Sequence, residues 1–151
     1  MTTNSTSCDK NYRNPIVDSW TSIGMQQVKF AFYKDNVEAA FVIFDATGSN
    51  ITSWFSKSNI KKSSWTTVDT YSYNHFSIFG HNSRRFLMVG NYNNCSTDRA
   101  YSIIVVSGEF GCSYDTHTSY PQFIYSTSTT FESPETMSGM DKADVMAIFI
   151  K

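Results

Sequence analysis

The feature that most constrains this chain is a recurrence of short apolar or alternating runs with no helical period. Residues 28–33 alternate, with one Val and two Phe on the same face. Residues 39–44 and 102–107 are apolar almost throughout, which is typical of central strands covered on both faces. No stretch keeps a 3.6-residue apolar period over three turns. The chain is therefore expected to be all-β.

Nine such runs are regularly spaced and separated by turns rich in Gly, Asn and Ser. This pattern predicts an antiparallel β-sandwich or jelly roll of roughly nine strands, in a single domain over residues 1–151. One helical turn is expected near residues 134–140, with Ser133 as its cap and Pro134 in its first position. The predicted strands are residues 28–33, 39–44, 51–55, 64–68, 76–79, 85–89, 102–107, 122–126 and 145–150.

Charge and composition limit the function classes. The 12 basic residues nearly balance the 13 acidic ones, and the net charge is −1. This balance argues against a nucleic-acid surface or a polybasic membrane anchor, because both need clustered Lys and Arg. No apolar run reaches the roughly 18–20 residues that a membrane helix needs. We therefore expect neither nucleic-acid binding nor membrane insertion.

Sequence motifs give no support for catalysis or for a bound cofactor. The three histidines form no His-Glu-x-x-His, and there is no Cys-x-x-Cys. Residues 45–50 are rich in oxygen atoms but do not match an EF-hand loop, so we interpret them as a turn. There is no Gly-x-Ser-x-Gly elbow, and the seven glycines are too scattered for a phosphate loop. The expectation is a non-enzymatic protein with no cofactor, no catalytic residues and no metal ligands.

The three cysteines predict one disulfide. Cys95 and Cys112 lie in polar, turn-rich segments on either side of the strand at residues 102–107, whereas buried structural cysteines normally lie inside apolar runs. A Cys95–Cys112 bridge, formed in an oxidising compartment, is the prediction. Cys8 is then free, paired with another chain, or exchanged for one of the other two; the alternative is three ordinary thiols.

The predicted location is extracellular. The first residues have no basic segment and no apolar segment, so they are not a signal peptide; the protein is either cytosolic or begins after a signal that was removed. Asn4, Asn50 and Asn94 lie in glycosylation sequons, although a chain this rich in Asn, Ser and Thr yields such triplets by chance. The disulfide and the sequons together fit a secreted glycoprotein.

Three polar loops that contain tyrosine form the candidate binding site: residues 71–75, 91–94 and 114–120. In an antiparallel hairpin array the first two loops fall at the same end of their sheet, and the loop at residues 81–85 falls at the opposite end. Flat aromatic faces pack on the C–H patches of sugars, and amides and carboxylates bond their hydroxyls. The predicted stacking residues are Tyr73, Tyr92 and Tyr114, and the predicted hydrogen-bonding residues are Asn74, Asn93, Asp115 and His117.

The leading interpretation is a secreted, lectin-like module that binds a glycan or a glycoprotein without chemistry. A plainer interpretation is that these Tyr and Asn residues are simply good turn and surface residues. Low net charge and an odd cysteine also fit a structural, self-assembling extracellular protein that forms homo-oligomers through its edge strands. The third alternative is a hydrolase whose site has no recognised motif.

Five short strings, which together span most of the chain, carry a resemblance to other proteins. They are residues 63–65, 84–95, 111–114, 121–126 and 143–149. Together they resemble a pattern in uncharacterised secreted modules of marine invertebrates, molluscs especially. The resemblance implies an extracellular location, and it implies no activity and no site residues.

Overall fold

The computed structural model describes residues 12–109 and 111–151. This part of the chain is an antiparallel β-sandwich, and it contains 3-10 turns but no α-helix. Its strands are β1 (Gln27–Lys34), β2 (Val37–Asp45), β3 (Ile60–Ser63), β4 (His75–Ser77), β5 (Arg84–Asn91), β6 (Arg99–Val105), β7 (Gln122–Ser126), β8 (Met140–Ala143) and β9 (Val145–Ile150).

The strands form two sheets. Sheet A has the order β3-β2-β1-β9, and sheet B has the order β4-β5-β6-β7-β8. Strands that follow one another in the chain are mostly neighbours in space, so each sheet is largely a meander and lacks the paired Greek keys of a jelly roll. The predicted antiparallel sandwich is confirmed. No helix in the described part of the chain is long and apolar enough to cross a membrane.

The two sheets pack through aromatic rings. Val28, Phe30 and Phe32 of β1 point between the sheets and are fully buried, as their alternation predicts. Phe30 stacks on Phe86 of β5 at 5.4 Å between ring centroids, and Phe32 stacks on Tyr125 of β7, also at 5.4 Å. Because rings from both sheets interdigitate, this cluster sets the separation and alignment of the sheets.

Sheet B is covered on its outer face as well. A second apolar cluster, which includes Leu87, Ile103 and Ile124, lies beneath Cys112 and Tyr114. Every residue of β6 except Arg99 is consequently buried, which confirms the predicted covering of both faces for residues 102–105, although the strand ends there and Val106 is exposed. For residues 39–44 the predicted central position is confirmed, because β2 lies between β3 and β1, but the predicted covering of both faces is wrong.

In β2 the buried residues alternate with more exposed ones: Ala39 is exposed and Phe41 and Ile43 are only half-buried. The reason is that these residues lie on the outer face of sheet A, whereas Val42 and Phe44 face sheet B and belong to the core. An unbroken apolar run therefore does not by itself place a strand between two layers.

Two predicted strands, residues 51–55 and 64–68, are wrong. Both segments are turns, and a strand lies between them at β3. The Asn50 side chain accepts hydrogen bonds from the backbone N–H groups of Thr52 and Ser53, which favours a turn. Trp54 and Trp65 are buried anchors of these turns, and the indole N–H of Trp65 donates to the Ser126 carbonyl in β7 at 2.9 Å.

The predicted helical turn near residues 134–140 is also wrong. The segment is a tight turn closed by a bridge between Ser133 and Ser138, and Met137 takes a left-handed backbone conformation with φ of 54°. This conformation cannot continue a right-handed helix. The turn leads directly into β8, whose short, charged sequence carries no strand signal.

Truncating the central aromatic ring should destabilise the whole sandwich. We expect Phe30→Ala to lower the free energy of unfolding by about 3–5 kcal/mol, because it leaves a cavity where Phe32, Phe55 and Phe86 meet. Phe79→Ala is the matched control, since Phe79 is 69% exposed and should change stability by less than about 0.5 kcal/mol. Urea unfolding measures both; similar losses in the two variants would contradict the core assignment.

Candidate functional site

The most unusual feature of the interior is a buried arginine on the outer face of sheet B. Arg84 is 5% exposed, and its guanidinium donates to both oxygens of Asp115, from Nε at 3.0 Å and from Nη2 at 2.5 Å. Asp115 ends the 3-10 turn Ser113–Asp115. Gly80 precedes the turn into β5; its φ is +62°, and a Cβ there would lie 1.9 Å from the Arg84 carbonyl oxygen. The chain can therefore enter β5 in this way only with glycine at position 80.

Two tyrosine rings and a second carboxylate complete the environment of Arg84. The guanidinium carbon lies 4.5 Å from the ring centre of Tyr114 and 5.1 Å from that of Tyr92. The Tyr92 hydroxyl accepts from Arg84 Nη1 at 2.6 Å, and the Tyr114 hydroxyl donates to Asp98 Oδ2 at 2.6 Å. Asp98 Oδ2 also lies 3.9 Å from Arg84 Nη1. We call these five residues the Arg84 network.

Charge within the Arg84 network is fixed by burial and hydrogen bonding together. Burial works to lower the pKa of Arg84, but the hydrogen bonds to Asp115 and the surrounding charges outweigh it, so the pKa is raised above its ordinary value. Burial raises the pKa of Tyr114, and its hydrogen bond to Asp98 raises it further. Burial also raises the pKa of Tyr92, against the opposing effect of Arg84. Both tyrosines are therefore uncharged phenols beside a permanent cation at neutral pH.

A disulfide ties the network to the end of β5. Cys95 and Cys112 are bonded, as predicted, and Arg84 Nη2 lies 3.1 Å from the Cys112 sulfur. The Glu135 carboxylate lies close to both sulfurs. Among the described residues, Cys95, Cys112 and Glu135 are the only three potential metal ligands that cluster together. Because the two sulfurs are bonded to each other, they are not thiolates and this group is not a metal site. Cys8 and Asn4 lie outside the described residues.

Above the Arg84 network, a cluster of rings reaches the surface. The Tyr92 ring meets His75 edge-on at 5.0 Å and His81 edge-on at 5.7 Å, and the two imidazoles are 5.9 Å apart. His81 is exposed, and His75 and Tyr92 are half-buried. Asn74 immediately precedes His75 in the chain, and Asn93 immediately follows Tyr92; both asparagines are exposed. We call His75, His81, Tyr92, Asn74 and Asn93 the His–Tyr rim.

The predicted placement of the loops around β4 and β5 is confirmed, and the reach of one histidine ring is a further finding. The backbone N–H of Asn74 donates to the Val89 carbonyl at 2.9 Å, so residues 71–75 and 91–94 lie at the same end of the sheet, as expected. The loop that contains His81 joins β4 to β5 at the opposite end, as expected. The His81 ring nevertheless contacts the Tyr92 ring, because β4 has only three residues and β5 is irregular between Arg85 and Met88.

Three of the seven predicted site residues belong to the rim: Asn74, Tyr92 and Asn93. Tyr114 and Asp115 are 1% and 0% exposed, so a surface ligand reaches neither, and the predicted stacking and bonding roles of these two residues are corrected to structural support. Because Arg84 contacts both Asp115 and Tyr92, the third predicted loop, residues 114–120, begins beneath the loops at residues 71–75 and 91–94.

Tyr73 and His117 are placed elsewhere. The Tyr73 ring packs on Phe76 and Phe131 in the core between the sheets, and its hydroxyl donates to the Val68 carbonyl, so its predicted stacking role is also corrected. The His117 ring nitrogens are engaged by the Tyr114 carbonyl at 2.8 Å and by the Lys142 ammonium at 3.1 Å. Neither side chain forms part of the rim.

A shallow groove on sheet A is a second concave feature. It measures about 470 Å³ and is lined by residues 24–27, by the turn that follows β2, and by Lys61. Asp45 Oδ1 accepts from the Thr47 backbone N–H at 2.9 Å, and Oδ2 lies 3.0 Å from Lys61 Nζ. The bonds from Thr47, then the bond from Lys61, lower the pKa of Asp45 to about 2. In the sequence, the feature that marks this part of the groove is the oxygen-rich turn at residues 45–50.

No known protein family, no curated protein and no solved structure gives a significant match to this chain. A functional assignment therefore depends on the geometry of its own side chains.

Removing the negative charge that faces Arg84 should be much more costly than removing one hydrogen bond. We expect Asp115→Asn to lower the free energy of unfolding by about 3–5 kcal/mol, because it leaves a buried cation with weakened pairing. Tyr92→Phe, which deletes only the hydroxyl that Arg84 reaches, should cost about 1 kcal/mol. Urea unfolding of the two variants checks the order; an Asp115→Asn loss no larger than that of Tyr92→Phe would show that the pair is not a constraint on the fold.

Asp45 should titrate at about 2 in the folded protein. Lys61→Met should raise this pKa only in part, because the hydrogen bonds from Thr47 make the larger contribution. Since the folded-state pKa lies below the ordinary value of 3.8, ionised Asp45 stabilises the fold above pH 3.8, and this contribution disappears as the pH falls towards 2. Carboxyl-carbon NMR titration measures the shift, and a value near 3.8 in the unmodified protein would refute it.

Proposed function

We propose that this protein is an extracellular, non-enzymatic binding module that takes a neutral glycan on the His–Tyr rim. The observation that carries the proposal is the cluster of three neighbouring rings that is partly exposed to solvent, with the exposed residues Asn74 and Asn93 adjacent in the chain to two of them. Rings offer apolar surface to sugar C–H groups, and ring nitrogens and amides offer donors and acceptors to sugar hydroxyls.

Rigidity supports this proposal. The Tyr92 hydroxyl is held by Arg84, Arg84 is held by Asp115, and the segment that carries Asp115 is tied to Cys95 through the disulfide. A ring fixed in this way loses little conformational entropy when a ligand packs on it, and pre-organisation of this kind favours binding.

Charge favours a neutral ligand over an anionic one. None of the five rim residues is Lys, Arg, Asp or Glu, and the cation directly beneath them is already paired with Asp115. A sulfated or carboxylated sugar would therefore find no Lys or Arg side chain within the rim, whereas the hydroxyls of a neutral sugar could bond the amides of Asn74 and Asn93.

The disulfide supports the proposed location. Cys95–Cys112 closes a loop with a sequence separation of 17, and such bonds persist in oxidising compartments. In a secretory pathway Asn50 and Asn94 would be accessible to glycosylation, since both side chains are exposed. Asn94 directly follows the rim residue Asn93, so a binding experiment should use a variant with Asn94→Gln to exclude a shielding glycan.

A neutral-glycan array tests the proposal. We expect His81→Ala to weaken binding about tenfold or more, because it removes an exposed ring without removing a side-chain hydrogen bond of the described fold, and Asn93→Ala to weaken it less. His81→Phe should retain most of the affinity if stacking dominates. Lys61→Ala, in the groove of sheet A, is the matched control and should bind as the unmodified protein does.

The outcomes separate a wrong function from a wrong site. If the unmodified protein binds no glycan on the array, the proposed function fails. If Lys61→Ala abolishes binding and His81→Ala leaves it unchanged, glycan recognition survives but the site is the groove on sheet A and not the rim.

A further inference from the structure

In the described part of the chain, the four edge strands of the sandwich differ in length and in charge. The edge strands β3 and β8 have four residues each and carry two charged side chains apiece, and β4 has only three residues. The fourth edge, β9, is a run of six uncharged apolar residues, of which Val145, Ile148 and Phe149 are exposed. Soluble proteins normally shorten or charge an edge strand, because an open edge pairs with other strands. The unprotected edge is therefore the one that is suited to pairing.

Backbone geometry specifies what can pair with β9. Gln27 and Lys151 exchange hydrogen bonds with each other, and the register continues with Lys29 opposite Phe149 and Ala31 opposite Ala147. Because hydrogen-bonded and non-hydrogen-bonded pairs alternate in an antiparallel ladder, the N–H and C=O groups of Met146, Ile148 and Ile150 point away from β1. In the described part of the chain β9 has a neighbouring strand on one side only.

We propose that β9 pairs antiparallel with β9 of a second copy of this chain, which joins two A sheets into one continuous eight-stranded sheet. This inference does not depend on the proposed glycan binding. Only residues whose polar backbone groups point outward can form the hydrogen-bonded pairs, so the symmetric register with the most such pairs sets Ile148 opposite Ile148 of the partner subunit. Ile150 then lies opposite Met146 of the partner subunit.

Charge selects a second copy and its antiparallel direction. The exposed Asp144 precedes β9 and the exposed Lys151 follows it, so antiparallel copies bring each acidic end beside the partner's basic end. A parallel arrangement would bring like charges together. No charged side chain lies within the strand itself, and a net charge of −1 gives two whole copies little long-range repulsion.

Charge reversal at the two-fold axis tests the pairing. All variants are made in a Cys8→Ser background, which removes crosslinking through Cys8. In this background the protein with an unmodified β9 should sediment as a dimer of the 17.1 kDa chain. Ile148→Lys and Ile148→Glu should each raise the dimer dissociation constant at least tenfold, because each sets like charges opposite one another. An equimolar mixture of the two variants should restore a dimer. The matched controls Val37→Lys and Val37→Glu, at an exposed residue of β2, should dimerise normally.

Amide hydrogen exchange gives a second measurement that needs no substitution at β9. The Ile148 amide should be protected at high protein concentration and exchange freely on dilution, whereas the Ala147 amide, which faces β1, should be protected at both. A chain that remains monomeric across the concentration series would overturn the proposal. A dimer that tolerates both charged variants, or a mixture that fails to dimerise, would overturn it as well.

Discussion

A buried guanidinium needs an anionic partner beside it, and in this protein the chain must follow one particular path to bring that partner to Arg84. Arg84 on β5 reaches Asp115 only because the segment after Cys112 folds back across sheet B. Removing two ions from water costs several kcal/mol each, so the pair is weak evidence for stability as such. The ion pair instead fixes the position of the segment that carries Asp115. Breaking the pair leaves a buried charge without a partner, so other paths for this segment are strongly disfavoured.

The covering of sheet B follows from that constraint. With Asp115 held at Arg84, Tyr114 covers the apolar cluster beneath it and reaches Asp98 with its hydroxyl. Arg84 in turn bonds the Tyr92 hydroxyl, so the ring that reaches the surface is positioned from below. A single ion pair thus links the second apolar layer, the disulfide loop and the His–Tyr rim.

The strands that could be predicted from the sequence are those whose side chains alternate or are apolar throughout. Residues 122–126 and 145–150 match β7 and β9, and β1 differs from its prediction only at its ends. β3 and β8 could not be predicted, since each is a short edge strand with two charges, stabilised by backbone pairing and not by an apolar face. The segments around Trp54 and Trp65 show strand-forming residues that local Asn, Ser and Thr hydrogen bonds hold in turns.

Less of the candidate site was predictable, because a tyrosine in a polar loop has no sequence mark of its orientation. Tyr73, Tyr92 and Tyr114 occur in similar contexts, yet one packs between the sheets, one reaches the surface and one is buried over Arg84. The grouping of the loops followed from antiparallel connectivity. The approach of His81 did not, because it depends on a three-residue strand and an irregular β5.

The two proposals use opposite lateral edges of the sandwich. Phe44 of β2 packs on Phe76 of β4, and Phe32 of β1 packs on Tyr125 of β7, so β9 lies on the side of β8, far across the sheets from β4. The rim belongs to the β4 side. Pairing through β9 joins the two A sheets and would therefore leave both rims open, one on each B sheet of a single rigid dimer. Two weak sites on one rigid body bind a surface with many copies of a ligand far more tightly than either site alone, provided that their spacing suits the surface. For a small, nearly neutral module with a shallow site, dimerisation at the far edge is a physically direct route to useful avidity.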